Sequence, residues 1–303
     1  IVLTTIVAVC ALVSPYVSKL IVDRVIQNEQ YGMLRNLIIV LIVTIIIRGI
    51  CRFFSQVLFE TSSQNVLYSM RDTVYRKLLQ EDFAFYNKNR TGDLMSRQTG
   101  DMDAIRHFVA YVIYVTYEYV LYFVIALIMI FATNLKMALC MVLVLPLTAL
   151  TTYFQAKSVK PAFRNCRNAF SSLNTFVQEN VSGNRVVKAF AKEDYEMEKF
   201  AVENDRYRDS ELGAANVWKK YVPLFEVFSN ILTLVLMLVG GIMVVNGQMT
   251  MGDLVAVNGY LWMLTMPLRM AGWLINDMQR FTTSVEKIYN TYIAEPDVKK
   301  PLN

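Results

Sequence analysis

Arg48 and Arg52 stand one helical turn apart inside one long apolar run, and Glu118 stands inside another among Tyr114, Tyr117, Tyr119 and Tyr122. A charge left alone in hydrocarbon costs about 2.5–3.5 kcal/mol on insertion scales, so each of these residues needs a partner or a polar ligand. Counted at 1.5 Å per residue from the ends beside the short connections, Arg48, Glu118 and Arg52 lie roughly 16, 20 and 22 Å deep. We expect Glu118 to pair with Arg48 or Arg52, or to face a cavity. Pairing is the simpler reading. Gly259, Met263, Met266 and Met270 repeat at a 4-3-4 spacing beside Trp262 and Trp273. A thioether wall of that kind suits varied apolar ligands, although ordinary helix packing is the slightly favoured reading. Covalent chemistry has no such constellation. His107 is the only histidine, and Cys10, Cys51, Cys140 and Cys166 are too scattered for a zinc site or a disulfide framework. No Gly-x-x-x-x-Gly-Lys-Ser/Thr phosphate loop occurs. We therefore assign no catalytic and no metal-ligating residue, and expect this chain alone to catalyse no reaction.

The elements that carry these charges are membrane-like. Hydrophobic residues make up 55% of the chain and charged ones only 18%, which excludes an ordinary soluble domain. Crossing a hydrocarbon layer of about 30 Å takes about 20 apolar residues. Six runs qualify: residues 1–20, 37–58, 108–131, 135–154, 222–245 and 254–274. The chain begins inside the first of them without a Met, so an upstream start is expected. Connections after the second and fourth runs are about 50 and 65 residues long; the others are short. The long connections and the tail from Arg280 carry 23 of the 30 Lys and Arg residues. By the positive-inside rule the long side is cytoplasmic, with Lys157, Lys160, Lys219 and Lys220 close to their runs. The net charge of +5 is modest, and no nucleic-acid partner is implied.

The long connections read as helical extensions. Leu67, Met70, Val74 and Leu78 continue the second run at helical spacing between polar residues, predicting one helix over residues 37–79. That is roughly 65 Å, less than half of which fits in lipid. At its far end Thr91, Gly92, Asp93, Leu94, Met95, Ser96 and Arg97 read as a short helix. Thr91 is expected as its N-cap, Asp93 suits the helix dipole, and Gly100 is its expected stop. Beyond the fourth run, Phe163, Phe170, Leu173, Phe176, Val177 and Val181 form a second helical stripe. A second short polar helix is expected over Glu193, Asp194, Tyr195, Glu196, Met197, Glu198, Lys199 and Phe200. Two hairpins that reach far from the membrane and end in short transverse helices suit a machine driven by a cytosolic partner.

In this order the pieces resemble the membrane domain of an ATP-binding cassette exporter. Phe85-Tyr86, Thr91 to Arg97, Asp101 and Asp103-Ala104-Ile105 are similar to the family's first coupling helix and its surroundings. Gln178-Glu179, Ser182-Gly183, Val187-Lys188-Ala189-Phe190 and Glu193 resemble the approach to the second. Gly247, Thr250-Met251-Gly252-Asp253-Leu254 and Pro267-Leu268 resemble the turn into the sixth span. The resemblance implies an all-α domain of six transmembrane helices over residues 1–283, followed over 284–303 by a linker toward a nucleotide-binding domain. It implies a dimer of identical or different halves around a central cavity, and coupling helices resting on ATPase domains. ATP and Mg²⁺ would bind on those domains and not here. The cargo would be a small molecule, lipid or peptide, moved out across a cytoplasmic (inner) membrane by alternating access. A channel or sensor that kept the scaffold without ATP is the alternative.

Overall fold

The computed structural model describes residues 1–294. Eight helices follow one another: α1 (Val2–Ile26), α2 (Tyr31–Leu78), α3 (Phe83–Lys88), α4 (Thr91–Thr133), α5 (Leu135–Ser182), α6 (Asn184–Ala189), α7 (Glu193–Val245) and α8 (Met251–Tyr292). The described residues hold no strand. Among them, α1, α2, α4, α5 and α7 are long and apolar enough to cross a membrane. The run 254–274 lies within α8, where Asn258, Tyr260, Trp262, Thr265 and Arg269 dilute its hydropathy. Its membrane crossing therefore stays an expectation. The linker expected over residues 284–303 is helical as far as Tyr292 and passes out of the described residues after residue 294.

Two compact units divide the chain: Ile1–Cys140 with the residues from Thr233 onward, and Met141–Leu232. In the first, α1 packs on α2, α4 and α8, and α4 packs on α8. Val17, Val25 and Leu37 form a core where α1 meets the start of α2. At the other end of α2, Leu67 and Val74 pack with Met102 and Ile105 of α4 and Ile288 of α8, flanked by Met70, Leu78 and Phe281. The stripe expected to continue the second run is thus buried by two other helices. Gly252 and Gly259 mark close approaches of α8 to α1: a Cβ would sit 2.5 Å from the Lys19 carbonyl oxygen at Gly252 and 2.8 Å from Pro15 Cβ at Gly259. Thr250 caps α8 in a reciprocal box with Asp253. Asp23 of α1 ties down the same turn, accepting bonds from the Gly252 N–H and the Thr250 hydroxyl, both at 2.8 Å. Lys19 and Asp253 form an ion pair beside it.

The second unit is a helix pair. The Ser158 and Tyr221 hydroxyls meet at 3.0 Å, and the Cys166 thiol donates to the Ser210 carbonyl at 3.1 Å. Farther along, Phe170 meets Tyr207 and Phe176 meets Phe200, with ring centroids 5.4 and 6.5 Å apart. As α5 advances from 158 to 176 its partners on α7 fall back from 221 to 200, so the two helices run antiparallel.

Candidate functional site

Three groups of residues are compared with the sequence expectations: the charges in the apolar runs, the first polar end and the second polar end. In the first unit, Glu118 of α4 is buried and lies 3.5 Å from Arg52 Nη2 of α2. The Tyr122 hydroxyl donates to the other carboxylate oxygen of Glu118, and Arg48 donates to that hydroxyl at 3.4 Å. Exposure separates the partners: the Arg52 side chain is 46% exposed and that of Glu118 5%. The acid is enclosed; the base stands at the edge of the packing. Met263 is fully buried, whereas Met266 and Met270 are partly exposed. Gly259 and Met263 therefore belong to the packing of α8, and only the later two methionines can line a surface.

The structure redraws the first polar end. The detached short helix is α3, not the Thr91 segment. Asp82 caps it by accepting from the Phe85 N–H at 2.9 Å, and the Tyr86 hydroxyl ties it back to the Leu78 carbonyl at 2.8 Å. Thr91 is not an N-cap: the Asp93 and Leu94 N–H groups bond to the Arg90 carbonyl, which puts the extended Arg90 in that position. Gly100 does not stop the helix either. It keeps a right-handed backbone, and the chain runs on through a wider π-type turn over Arg97–Asp101 into the rest of α4. That turn is held from outside. Asp101 is 8% exposed; it accepts from the Ser284 hydroxyl at 2.9 Å and from Lys287 Nζ at 3.2 and 3.3 Å. Arg97 donates to the buried Thr291 hydroxyl at 2.7 Å. Leu94 is buried, while Thr91, Gly92, Asp93, Met95 and Ser96 are exposed. One turn on, Arg106 joins Asp103 at 2.9 Å and Glu60 of α2 at 3.0 Å, and these carboxylates raise the guanidinium pKa further. His107 Nε2 lies 3.3 Å from Asp277, with Tyr111 stacked on its ring and Trp273 edge-on.

The second polar end is corrected in the same sense. Glu193–Phe200 is not a separate helix but the first two turns of α7, and the detached short helix is α6. Ala191, at φ 48°, makes the turn between them. Glu193, Asp194 and Tyr195 are exposed, and Phe200 packs on Phe176. Lys199 bonds Glu196 at 3.3 Å and lies over the Tyr195 ring; the Glu196 carboxylate holds its pKa above the usual range. Around this turn Val181, Val186, Phe190 and Met197 are all more than half exposed, Phe190 at 72%. A groove of about 690 Å³ lined by Phe176, Asn180, Val187, Lys199 and Val202 opens beside them. Four large apolar side chains are thus left in solvent close to one turn.

Residue types and order match known proteins. Residues 1–268 fit the family described as ABC transporter transmembrane region. The chain is 32% identical over 290 residues to the uncharacterized ABC transporter ATP-binding protein YknU of Bacillus subtilis (strain 168), covering 94% of this chain and 49% of that protein. It is 27% identical over 305 residues to the multidrug resistance-like ATP-binding protein MdlA of Escherichia coli (strain K12), covering 98% and 50%. The ATP-dependent lipid A-core flippase of Syntrophus aciditrophicus (strain SB) is 24% identical over 283 residues, covering 93% and 47%. The chain spans about half the length of the curated relatives it matches.

Proposed function

This chain belongs to the ABC transporter transmembrane region family, and from that membership we propose that it is the substrate-translocating membrane half of an ATP-driven exporter. Two such halves, identical or different, enclose a cavity that opens alternately to either side of a cytoplasmic membrane. An ATPase domain binds ATP and Mg²⁺ and drives the change; this chain receives the motion. The observation that carries the reading is the pair of long helical extensions, each closed by a short helix and each presenting exposed apolar residues. Met95 and the α3 surface would contact the ATPase at the first end, and Val186, Phe190 and Tyr195 at the second. The names of the relatives, which include a multidrug resistance-like protein and a lipid flippase, support apolar or amphipathic cargo. Met266 and Met270 of α8 are the residues we assign to its wall, and Glu118, Arg48 and Arg52 the polar groups nearest to it.

The test is made on the full gene product in inverted vesicles loaded with a fluorescent apolar dye outside. ATP should drive accumulation of the dye, and a non-hydrolysable analogue should not. Dye movement that ignores nucleotide would favour the channel alternative and overturn the exporter reading.

A further inference from the structure

Two bases and one acid share one level of the first unit. Arg48 and Arg52 stand one turn apart on α2, so both side chains leave the same helix face. Both turn to α4. Arg52 Nη2 lies 3.5 Å from one Glu118 oxygen; the Tyr122 hydroxyl donates to the other oxygen and accepts from Arg48 at 3.4 Å. Glu118 is therefore satisfied, whereas each guanidinium has five N–H donors and meets α4 through one long contact. The Arg52 side chain is 46% exposed, and Arg48 is partly exposed. The acids elsewhere are committed or distant. In the six apolar runs the only other one is Glu226, which belongs to the second unit and lies about 28 Å from the end of its run beside the short connection. Glu60, two turns beyond Arg52, holds Arg106, and Asp277 holds His107. Arg269 of α8, at the depth of Arg52, has an interaction of its own and brings another positive charge. Hydroxyls fill out the level: Thr5 meets Tyr117 at 2.9 Å, and Thr4 meets Ser55 at 3.1 Å.

We propose that Arg48 and Arg52 bind the anionic head of an amphiphile, a carboxylate, sulfonate or phosphate on an apolar tail, and that such molecules are the cargo. The binding follows from the charge balance; its reading as cargo rests on the exporter function proposed above. Two guanidinium groups against one carboxylate leave a positive charge in an apolar layer, where a charge needs a partner. An incoming anion supplies it. A guanidinium presents paired N–H donors to two oxygens of such a head, the geometry in which these bonds are shortest and strongest. Glu118 competes with the ligand for these donors, engaging Arg52 directly and Arg48 through Tyr122. Its removal should therefore favour the anion. A cationic head meets the opposite situation: two guanidinium groups repel it, and the carboxylate is already screened by one of them and a hydroxyl.

The experiment uses the full gene product in phosphatidylcholine nanodiscs with pyrene-labelled dodecyl amphiphiles that differ only in a sulfonate or a trimethylammonium head. The Trp262 ring lies 5.3 Å from that of Tyr122, so energy transfer from Trp262 to pyrene reports this site. It is read as the difference between each protein and its Trp262→Phe counterpart. The sulfonate should bind about tenfold tighter than the ammonium probe. Arg48→Gln and Arg52→Gln should each weaken the sulfonate severalfold and leave the ammonium probe no weaker. Glu118→Gln should tighten the sulfonate severalfold, the reverse of what loss of a purely structural ion pair would do. Arg71→Gln, exposed on the polar part of α2, should change neither. Equal binding of the two probes by the wild type overturns the proposal. So does a preference that survives both arginine variants, or a Glu118→Gln protein that loses the sulfonate as they do. Should Glu118→Gln fail to fold, the two arginine variants still decide. Inverted vesicles then separate cargo from a resident bilayer lipid. ATP-driven uptake of the sulfonate, lost in Arg48→Gln and Arg52→Gln, makes the anion cargo. Sulfonate that binds but stays put while ATP moves a neutral apolar dye overturns the cargo half of the proposal. Binding preference intact with no probe or dye moved by ATP would count against the exporter reading alone.

Discussion

The two polar ends look alike in sequence, yet they are held in opposite ways. At the first, Leu94 is buried and the π-type turn after it is bound by Ser284, Lys287 and Thr291 of α8. Below it Leu67, Val74, Met102, Ile105 and Ile288 form a shared core. At the second, α5 and α7 touch along a single seam, and the turn between them bares Val181, Val186, Phe190 and Met197. The first end is built into its unit by residues nearly 200 positions apart. The second is built only from its own two helices, and the apolar surface it leaves bare suits a partner. Motion imposed on the first end would therefore be passed to α8 through Asp101 and Arg97, whereas the second end would act through whatever covers it.

Removing Asp101 should break that contrast most. Asp101→Ala strips the acceptor from the buried Ser284 hydroxyl and the partner from Lys287. Hydrogen bonds to charged groups contribute about 1.5–3 kcal/mol, and Lys287 is half exposed, so we expect a loss of about 2 kcal/mol in thermal unfolding of the purified product. Asp101→Asn keeps an acceptor for Ser284 and should lose about half as much. An Asp101→Ala protein as stable as the wild type would mean that the first end is not pinned. At the second end the expected pattern is reversed. Val186→Ser with Phe190→Ser removes surface that nothing in the unit covers, so unfolding should move by no more than about 0.5 kcal/mol. ATP-driven dye uptake should nevertheless fall severalfold. A large drop in stability without any loss of uptake would reverse the roles assigned to the two ends.

What the sequence revealed and what it hid follow the same division. The helical stripe Leu67–Met70–Val74–Leu78 is visible because burial on one helix face repeats at the helix period, and it predicts the long α2 correctly. Depth alone puts Glu118 within reach of Arg48 or Arg52, because a charge in hydrocarbon needs a partner; the direct pair is with Arg52, and Arg48 meets Glu118 through the Tyr122 hydroxyl. Local chemistry alone points to a cap at Thr91 and a stop at Gly100, and both are overturned. Arg90 takes the cap because its carbonyl accepts the first helical bonds. Gly100 stays helical where the neighbouring Asp101 is fixed by Ser284 and Lys287, over 180 residues away in the chain. No local signal contains that contact, nor the meeting of His107 with Asp277. The caps of the true short helices were in plain view: Asp82 two residues before Ala84-Phe85, and Gly183 before Asn184.

Glycine replacement sharpens the comparison at smaller cost. A Cβ at Gly92 meets nothing within 4 Å, so Gly92→Ala, in the first turn of α4, should gain about 0.5–1 kcal/mol from lower chain entropy. At Gly183 a Cβ would lie 3.1 Å from the Glu179 carbonyl oxygen, a backbone atom that already accepts the Gly183 N–H. Gly183→Ala should therefore show no gain. Paired unfolding curves decide it, and equal gains at both sites would mean that the second turn is looser than its hydrogen bonds suggest.

The smallest effect is the most informative about the second unit. Cys166 is buried in the α5–α7 seam, and burial, with Glu211 adding to it, pushes its thiol pKa above the ordinary value. Only the thiolate reacts with alkylating reagents, so a raised pKa leaves less of it at any given pH. In a protein whose other three cysteines are replaced by serine or alanine, maleimide labelling of Cys166 at pH 8 should be slower than in the denatured chain. The rate should keep climbing past the pH at which the denatured chain levels off. Should Cys166 label as fast as the denatured chain, with the ordinary pH profile, the seam opens faster than the reagent attacks. The second end would then be unheld as well as uncovered, and its order would have to come entirely from the partner that docks on it.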